Sequence, residues 1–299
     1  MIGHRVMQSL AWLAVAAVLG VLYLPLVPPL LFSVGAGGSS AAGEALTLRW
    51  YASLPNSPVL VGALGTTLVV AFVTALAAPA LGLLAAMAVR ELRLSRVILL
   101  LVLLPLFIPG VSMGIAMALF FRQLHLSPSL WSICLVHIMW ALPFATLIIL
   151  TVMASFDPAY LEAAYVTGAN RWRAFRDIEF PLIRAGIFGS AIFSMILSFN
   201  ETVRTSLVQG PLNTIQTYIW STYLQVGLSP SLHALMSLLI MVTAILLLLS
   251  LVVGRRARRW TSFNPPARPD LQGRNQRLRR LPRSRARDGW RWLGRSGRQ

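Results

Sequence analysis

Lysine is absent from this sequence, in which all 26 basic residues are arginine. A phosphate-binding P-loop needs a lysine that reaches the nucleotide phosphates, and Schiff-base catalysis needs a lysine amine, so both are excluded. Cysteine is nearly absent as well. The single Cys134 excludes disulfides within the chain and argues against a metal cluster. We therefore expect the chain to bind no cofactor and no metal of its own.

Charged residues are scarce too, at 12% of the chain against 57% apolar residues, and the mean hydropathy is +0.71. This composition is typical of a membrane protein. About 20 apolar residues are needed to cross roughly 30 Å of hydrocarbon. The sequence predicts an all-α, polytopic membrane domain over residues 1–254. Its six predicted transmembrane helices lie near residues 9–33, 63–89, 97–121, 131–154, 185–208 and 232–254.

Arginine is distributed unevenly between the loops on the two sides of these spans. Because cytoplasmic loops carry an excess of basic residues, the arginine-rich loops are expected in the cytoplasm, on the same side as both termini. The opposite loops hold little beyond Arg49 and Arg122. The loops assigned to the cytoplasm carry Arg90, Arg93, Arg96, Arg171, Arg173, Arg176 and Arg184.

Most of the basic charge lies in the C-terminal tail. Residues 255–299 carry fifteen arginines against two aspartates, out of a net charge of +17 for the whole chain. Few apolar residues and several prolines predict that this tail is disordered, and its charge predicts attraction to anionic lipids on the cytoplasmic side. Since the membrane domain itself is nearly neutral, a nucleic acid is not expected as a partner.

The third span contains a pattern that also occurs in hydrolases. Residues 110–114 read GVSMG, with Ser112 in the place of a nucleophile. That motif requires a sharp turn between a strand and a helix, whereas this copy lies in an apolar helical run, so we assign no catalytic residue. Gly110 and Gly114 instead share one helix face and would let another helix approach closely. Pro105 and Pro109 are expected to bend this span.

Ionisable residues inside the predicted spans are few. His137 in the fourth span is interpreted as a hydrogen-bonded packing residue. In the fifth span, about 100° of rotation per residue places Ser194, Ser198, Glu201 and Arg204 toward one face. A charge in the bilayer centre costs about 3 kcal/mol, and a spacing of three residues would let Glu201 and Arg204 pair. The face is either a helix contact that ends in an ion pair or the wall of a solute pathway.

The segment between the fourth and fifth spans carries strong local signals. Asp157 and Pro158 open a helix in the usual way, with a carboxylate at the cap and a proline in the first turn. Gly168 suits a left-handed residue that ends this helix. Asn170 can cap a second helix, which is expected to end before Pro181. We call residues 157–180, which contain the run Glu-Ala-Ala at positions 162–164, the EAA loop.

This segment resembles the EAA signature of the permease subunits of binding-protein-dependent ABC importers. The spacing of the signature matches throughout, with Phe180 in the place of an aliphatic residue. Residues 48–54, 142–158 and 198–211 are most similar to the second permease of spermidine/putrescine-type importers. The signature residues, which the resemblance assigns to ATPase coupling, are Glu162, Ala163, Ala164, Gly168, Ile178 and Pro181.

The resemblance implies a six-helix subunit with the type I ABC importer permease fold. Its implied partners are a second permease subunit, in a heterodimer, two ABC ATPase subunits that bind ATP and Mg, and an extracytoplasmic solute-binding protein. The EAA loop would seat in a groove of the ATPase and transmit its movements. The alternatives are a self-contained ion-coupled secondary transporter or channel and, third, an enzyme embedded in the membrane.

The resemblance also bears on the solute. Permeases for polyamines commonly carry acidic residues where this chain has Asn200 and Glu201, and a carboxylate there could attract a cation. If Arg204 neutralises Glu201, that electrostatic reason largely disappears. A polyamine, spermidine or putrescine, is the favoured solute among other small organic solutes and metal ions. The candidate pathway residues are Ser194, Ser198, Asn200, Glu201 and Arg204.

Overall fold

The computed structural model describes residues 2–35, 46–92 and 95–261, and these ranges are mostly helical. Apart from one isolated bridge between Gly35 and Leu46, the described ranges contain no β pairing. The prediction of an all-α chain is confirmed. The helices in chain order are α1 Ile2–Tyr23, α2 Val27–Phe32, α3 Arg49–Ser53, α4 Pro58–Glu91, α5 Ser95–Phe107, α6 Gly110–Gln123, α7 Leu130–Ala154, α8 Ala159–Val166, α9 Arg171–Ala174, α10 Phe180–Phe199, α11 Val203–Val208, α12 Ile215–Val226 and α13 Pro230–Thr261.

Five helical segments of the described chain are long and apolar enough to cross a membrane, or six if a bent pair counts as one span. The bent pair is α5 and α6, between which the helix axis bends by 104°. The predicted bend of the third span is therefore a break. It lies at Pro109, whose ψ of 138° is extended and whose ring removes the N–H that a continuous helix would use.

The fifth predicted span, residues 185–208, is not one helix, and that prediction was wrong. α10 ends at Phe199, and α11 begins only at Val203. The Asn200 side chain donates a hydrogen bond back to the carbonyl of Ile196 over 2.8 Å, and the Glu201 carboxylate accepts the backbone N–H of Arg204. Such local side-chain bonds compete with helical ones and favour an end and a new start.

The core forms where α4, α7 and α10 pack together through small residues. Ala78, Ala141 and Ala145 are fully buried between them. A Cβ added to Gly82 of α4 would lie 3.1 Å from the Cβ of Ala145, and one added to Gly186 of α10 would clash with Val152 of α7. Small side chains allow such close approach between helices where the surrounding lipid provides no hydrophobic drive.

The two ends of the chain differ from this core. α1 and α2 together form a candidate span from Met7 to Phe32. None of its 18 most apolar consecutive residues is buried inside the structure. α13 continues to Thr261, so residues 255–261, which the sequence assigns to the disordered tail, are helical. The rest of the predicted tail, with its lipid attraction, lies outside the described residues.

Candidate functional site

The EAA loop adopts the local structure that its sequence predicts over residues 157–170. The Asp157 carboxylate accepts the backbone N–H of Ala159 over 3.0 Å at the start of α8. Gly168 has φ of 87°, a left-handed conformation that ends α8 at low steric cost. Asn170 caps α9 by accepting the backbone N–H of Arg173 over 2.8 Å. These predictions are confirmed, and the two short helices meet at a glycine elbow.

The second helix of the loop does not end before Pro181, so that prediction was wrong. α9 continues into a π-helical turn, Phe175–Glu179, and this turn leads directly into α10. The N–H of Phe180 bonds to the carbonyl of Phe175. Pro181 therefore lies in the first turn of α10, and Ile178 lies within the π turn. The wider π turn accommodates a proline ring that would clash with a regular preceding turn.

α8 turns most of its side chains away from the rest of the protein. Of the signature residues on it, Glu162 and Ala163 are exposed, whereas Ala164 is buried. Val166 is 88% exposed and Trp172, at the start of α9, is 64% exposed. The loop therefore presents small and aromatic side chains without cover from the described part of this chain. Exposed apolar surface of this kind is typical of a protein interface.

The base of the loop is joined to the bundle by an ion pair between a buried carboxylate and an arginine whose side chain is one third exposed. Glu179, which is 2% exposed, accepts hydrogen bonds from both Nη1 and Nη2 of Arg90 at the end of α4. Arg90 also reaches Glu91 over 3.1 Å. This pair was not predicted from the sequence, in which Arg90 contributes only to the arginine excess that indicates orientation. One available clue was a carboxylate between the apolar residues Ile178 and Phe180, since a buried carboxylate needs a partner.

A second polar cluster lies at the break between α10 and α11. His137 of α7 is 1% exposed and contacts two hydroxyls, with Nδ1 2.7 Å from Oγ of Ser198 and Nε2 2.7 Å from Oγ1 of Thr205. Ser198 belongs to α10 and Thr205 to α11. The interpretation of His137 as a hydrogen-bonded packing residue is confirmed, and its partners are now identified. The imidazole bridges the break and fixes the two helices relative to each other.

Glu201 and Arg204 form the ion pair that their spacing allows, although the helical projection that placed them on one face was wrong beyond residue 199. Oε2 of Glu201 lies 2.7 Å from Nη1 of Arg204, and Oε1 accepts the Arg204 backbone N–H over 2.9 Å. The two residues are 6% and 7% exposed. The guanidinium also lies over the ring of Trp140, 3.8 Å from its centroid, where the ring face attracts the cation. Glu201 therefore has no uncompensated charge.

The two glycines of the third span face this cluster. A Cβ added to Gly110 would lie 3.3 Å from Cζ of Arg204, and one added to Gly114 would lie 2.6 Å from Leu207 and 3.3 Å from the Arg204 backbone. α6 and α11 approach closely because neither glycine has a side chain. The predicted packing role of these glycines is confirmed, and the pattern around Ser112 lies in the regular helix α6.

Four of the five candidate pathway residues are buried. Ser198 is held by His137, Glu201 and Arg204 pair with each other, and Ser194 is fully buried with no hydrogen-bond partner among the described residues. Only Asn200 is exposed. It lines a mostly apolar cavity of about 730 Å³, with Gln216 and residues of α2 and α13 on the other walls. The structure brings the predicted residues to one break, but places only Asn200 on an open surface.

The fold and its two breaks define a polytopic helical protein of a membrane, with one exposed helical loop. Residues 78–260 match the family described as the binding-protein-dependent transport system inner membrane component. The chain belongs to this family. It is accordingly an inner-membrane permease subunit of an ABC importer and not the ATPase of that importer.

Relatives and solved structures agree with this assignment. The chain is 26% identical to the spermidine/putrescine transport system permease protein PotC of Escherichia coli, over 80% of this chain and 91% of PotC. It is 25% identical to the putrescine transport system permease protein PotI of Escherichia coli, over 77% and 85% of the two chains.

Among solved structures, a chain of the bacterial alginate ABC transporter matches with a TM-score of 0.60 at 19% identity, covering 88% of this chain and 98% of that one. A chain of the inward-facing MetNI methionine ABC transporter matches with a TM-score of 0.56 at 19% identity, covering 70% and 98%. The predicted permease fold is confirmed.

Proposed function

We propose that this chain, together with a second permease subunit, forms the pathway of an ATP-driven importer and that its EAA loop docks on an ATPase subunit. The exposed face of α8 and α9 carries the proposal, since Val166 and Trp172 have no cover from the described chain. ATP and Mg would be bound by the ATPase. An extracytoplasmic binding protein would deliver the solute, as the alginate complex was crystallised with a solute-bound periplasmic protein.

The proposed contact residues for the ATPase are those of the EAA signature. Glu162 and Ala163 are exposed on α8 and would touch the ATPase directly, whereas Gly168 sets the angle between α8 and α9. Ile178 and Pro181 would act through the π turn and the start of α10. The charges of the loop nearly balance, which suits a protein groove better than anionic lipid. We place the loop and both termini in the cytoplasm because of the arginine excess there.

We propose a polyamine, or a related small organic solute, as the cargo. The similarity to PotC and PotI over most of the chain supports this choice. The negative charge of Glu201 gives no further support for a cationic solute, because Arg204 compensates it. We assign the contact with the solute to Asn200, which borders the open cavity, and the maintenance of the break beside it to Ser198, Glu201 and Arg204. Ser194 stays a candidate pathway residue through its unpaired hydroxyl.

The test uses the complex of this chain with its second permease, ATPase and binding protein, reconstituted in proteoliposomes. We expect uptake of radiolabelled spermidine or putrescine only when ATP and the binding protein are present. Uptake by this chain alone, driven by an ion gradient, would instead establish a secondary transporter. ATP-driven uptake of a different solute would refute only the polyamine assignment.

Docking is tested by replacing the glycine at the elbow. Gly168→Pro removes both the left-handed conformation and an N–H that bonds to the carbonyl of Tyr165. Gly227→Pro is a matched control, since Gly227 has φ of 81° and its N–H bonds to Tyr223 between α12 and α13. We expect purified complexes to lose the ATPase with Gly168→Pro and to retain it with Gly227→Pro. Equal retention would contradict docking through the EAA loop.

A further inference from the structure

Besides its two covalent connections, the base of the EAA loop is anchored to the helical bundle at two main points, and an exposed pair of Arg171 with Glu91, 3.8 Å apart, adds only a weak contact to the end of α4. The first is apolar: Phe175 packs against a buried cluster that includes Ala86 of α4 and Ile183 of α10. The second is the ion pair between Glu179 in the π turn and Arg90 in the last turn of α4. Both main contacts join the base of the loop to α4.

The two anchors differ in how firmly they fix a geometry. Apolar contacts are not directional, so Phe175 can slide within its cluster at little cost. Hydrogen bonds from a guanidinium to a carboxylate constrain both distance and angle. The side chain of Glu179 is 3% exposed, so separating it from Arg90 would leave a buried, uncompensated charge. The ion pair is therefore the contact that keeps the loop and α4 moving together.

α4 leads from this ion pair to the other end of the bundle. It runs from Pro58 to Glu91 and packs along its length against α7 and α10. With a rise of 1.5 Å per residue it is about 50 Å long. Near its start, Oγ1 of Thr67 accepts the backbone N–H of Ile215 over 2.8 Å, at the beginning of α12. This hydrogen bond links α4 directly to the start of α12.

We infer that the Glu179–Arg90 ion pair is the joint through which movements of the EAA loop are transmitted to α4, and that Glu179 is a positioning residue for transport. This inference rests on the proposed function, because it requires an ATPase that moves the loop. It adds a route through α4 to the covalent route into α10, and it assigns a role to two residues outside the EAA signature.

The variant Glu179→Gln tests the joint in the reconstituted complex. The amide keeps the size of the side chain but loses its charge, while Arg90 retains Glu91 as a partner. We expect assembly to be preserved and basal ATP hydrolysis to stay within about twofold, whereas the solute imported per ATP hydrolysed falls about fivefold to tenfold, in the usual range of coupling between sites. A merely structural role would lower hydrolysis and uptake together.

Asp177→Asn is the matched control, with the same chemistry in the same π turn. Asp177 pairs with Arg176 in an exposed position, where ion pairs contribute little, so the ratio should change less than about twofold. If Glu179→Gln fails to assemble, Glu179→Asp, which keeps the charge but shortens the reach, is measured by the same ratio. If the assembled Glu179 variant imports as much solute per ATP hydrolysed as the wild type, the ion pair is not the joint. Wild-type complex without ATP-dependent uptake refutes the proposed function instead.

Discussion

The pairs Arg90–Glu179 and Glu201–Arg204 use the same chemistry at very different separations along the chain. The partners of the first are 89 residues apart and belong to α4 and the π turn, whereas those of the second are three residues apart. Glu201 binds both the guanidinium and the backbone N–H of Arg204, so its pair shapes one short segment. The distant pair joins two elements instead. A local pair therefore holds a conformation, and a distant pair can carry a movement.

The largest effect is expected from breaking the local pair. Arg204→Met leaves the carboxylate of Glu201 buried without a counter-charge, which should lower the free energy of unfolding by about 3 to 5 kcal/mol. Thermal unfolding of the purified protein in detergent measures this change. The double variant Glu201→Gln with Arg204→Met should recover most of the loss, because no buried charge is left. Equal melting temperatures for the single and double variants would contradict this account.

A smaller loss of stability is expected from replacing His137, which bridges the break between α10 and α11. His137→Leu leaves the hydroxyls of Ser198 and Thr205 without their shared partner, at a cost of about 2 to 3 kcal/mol. His137→Gln can still bond to one hydroxyl and should be intermediate. Melting temperatures rank the three proteins. If leucine and glutamine were equally tolerated, the break would be held by the Glu201–Arg204 pair alone.

A still smaller loss is expected where α6 contacts α11. Gly114→Ala places a methyl group against Leu207 and the Arg204 backbone, and overpacking of this kind costs about 1 to 2 kcal/mol. Gly189→Ala is the control, since a Cβ there meets nothing within 4 Å. The unfolding midpoint of Gly114→Ala should therefore be lower than that of Gly189→Ala. A stable Gly114→Ala protein would show that the break tolerates repacking.

The smallest effect is expected at the exposed pair of Arg176 and Asp177. Asp177→Asn should leave the melting temperature unchanged, because both side chains are at least half exposed and water replaces the lost contact. Comparison with Glu179→Gln, two residues away, then isolates burial as the cause of any difference. A clear destabilisation by Asp177→Asn would show that charge in the π turn matters regardless of burial.

Local signals in the sequence predicted much of the EAA loop. The cap at Asp157, the left-handed Gly168 and the cap at Asn170 each depend on residues within a few positions. The spacing of Glu201 and Arg204 predicted their contact for the same reason. The course of the chain at Pro181 was not predicted, because a π turn can absorb a proline and leaves no comparable local signal.

Other features depended on residues far apart in the sequence. The sequence identified His137, but not Ser198 and Thr205 as its partners, which lie on another span. Glu179 was counted only as one charge of the loop. A periodic pattern also cannot show that α10 ends at Phe199, because Asn200 and Glu201 redirect backbone hydrogen bonds there.

That the chain is helical and spans a membrane follows from its apolar runs, because the thickness of hydrocarbon sets their length. The shape of residues 157–170 of the EAA loop also follows from the sequence, through caps and a glycine that act locally. Which polar groups pair with one another in the interior is set by the packing of distant elements. A buried charge or hydroxyl is stable beside any suitable partner, and folding alone brings Arg90 to Glu179 and His137 to Thr205.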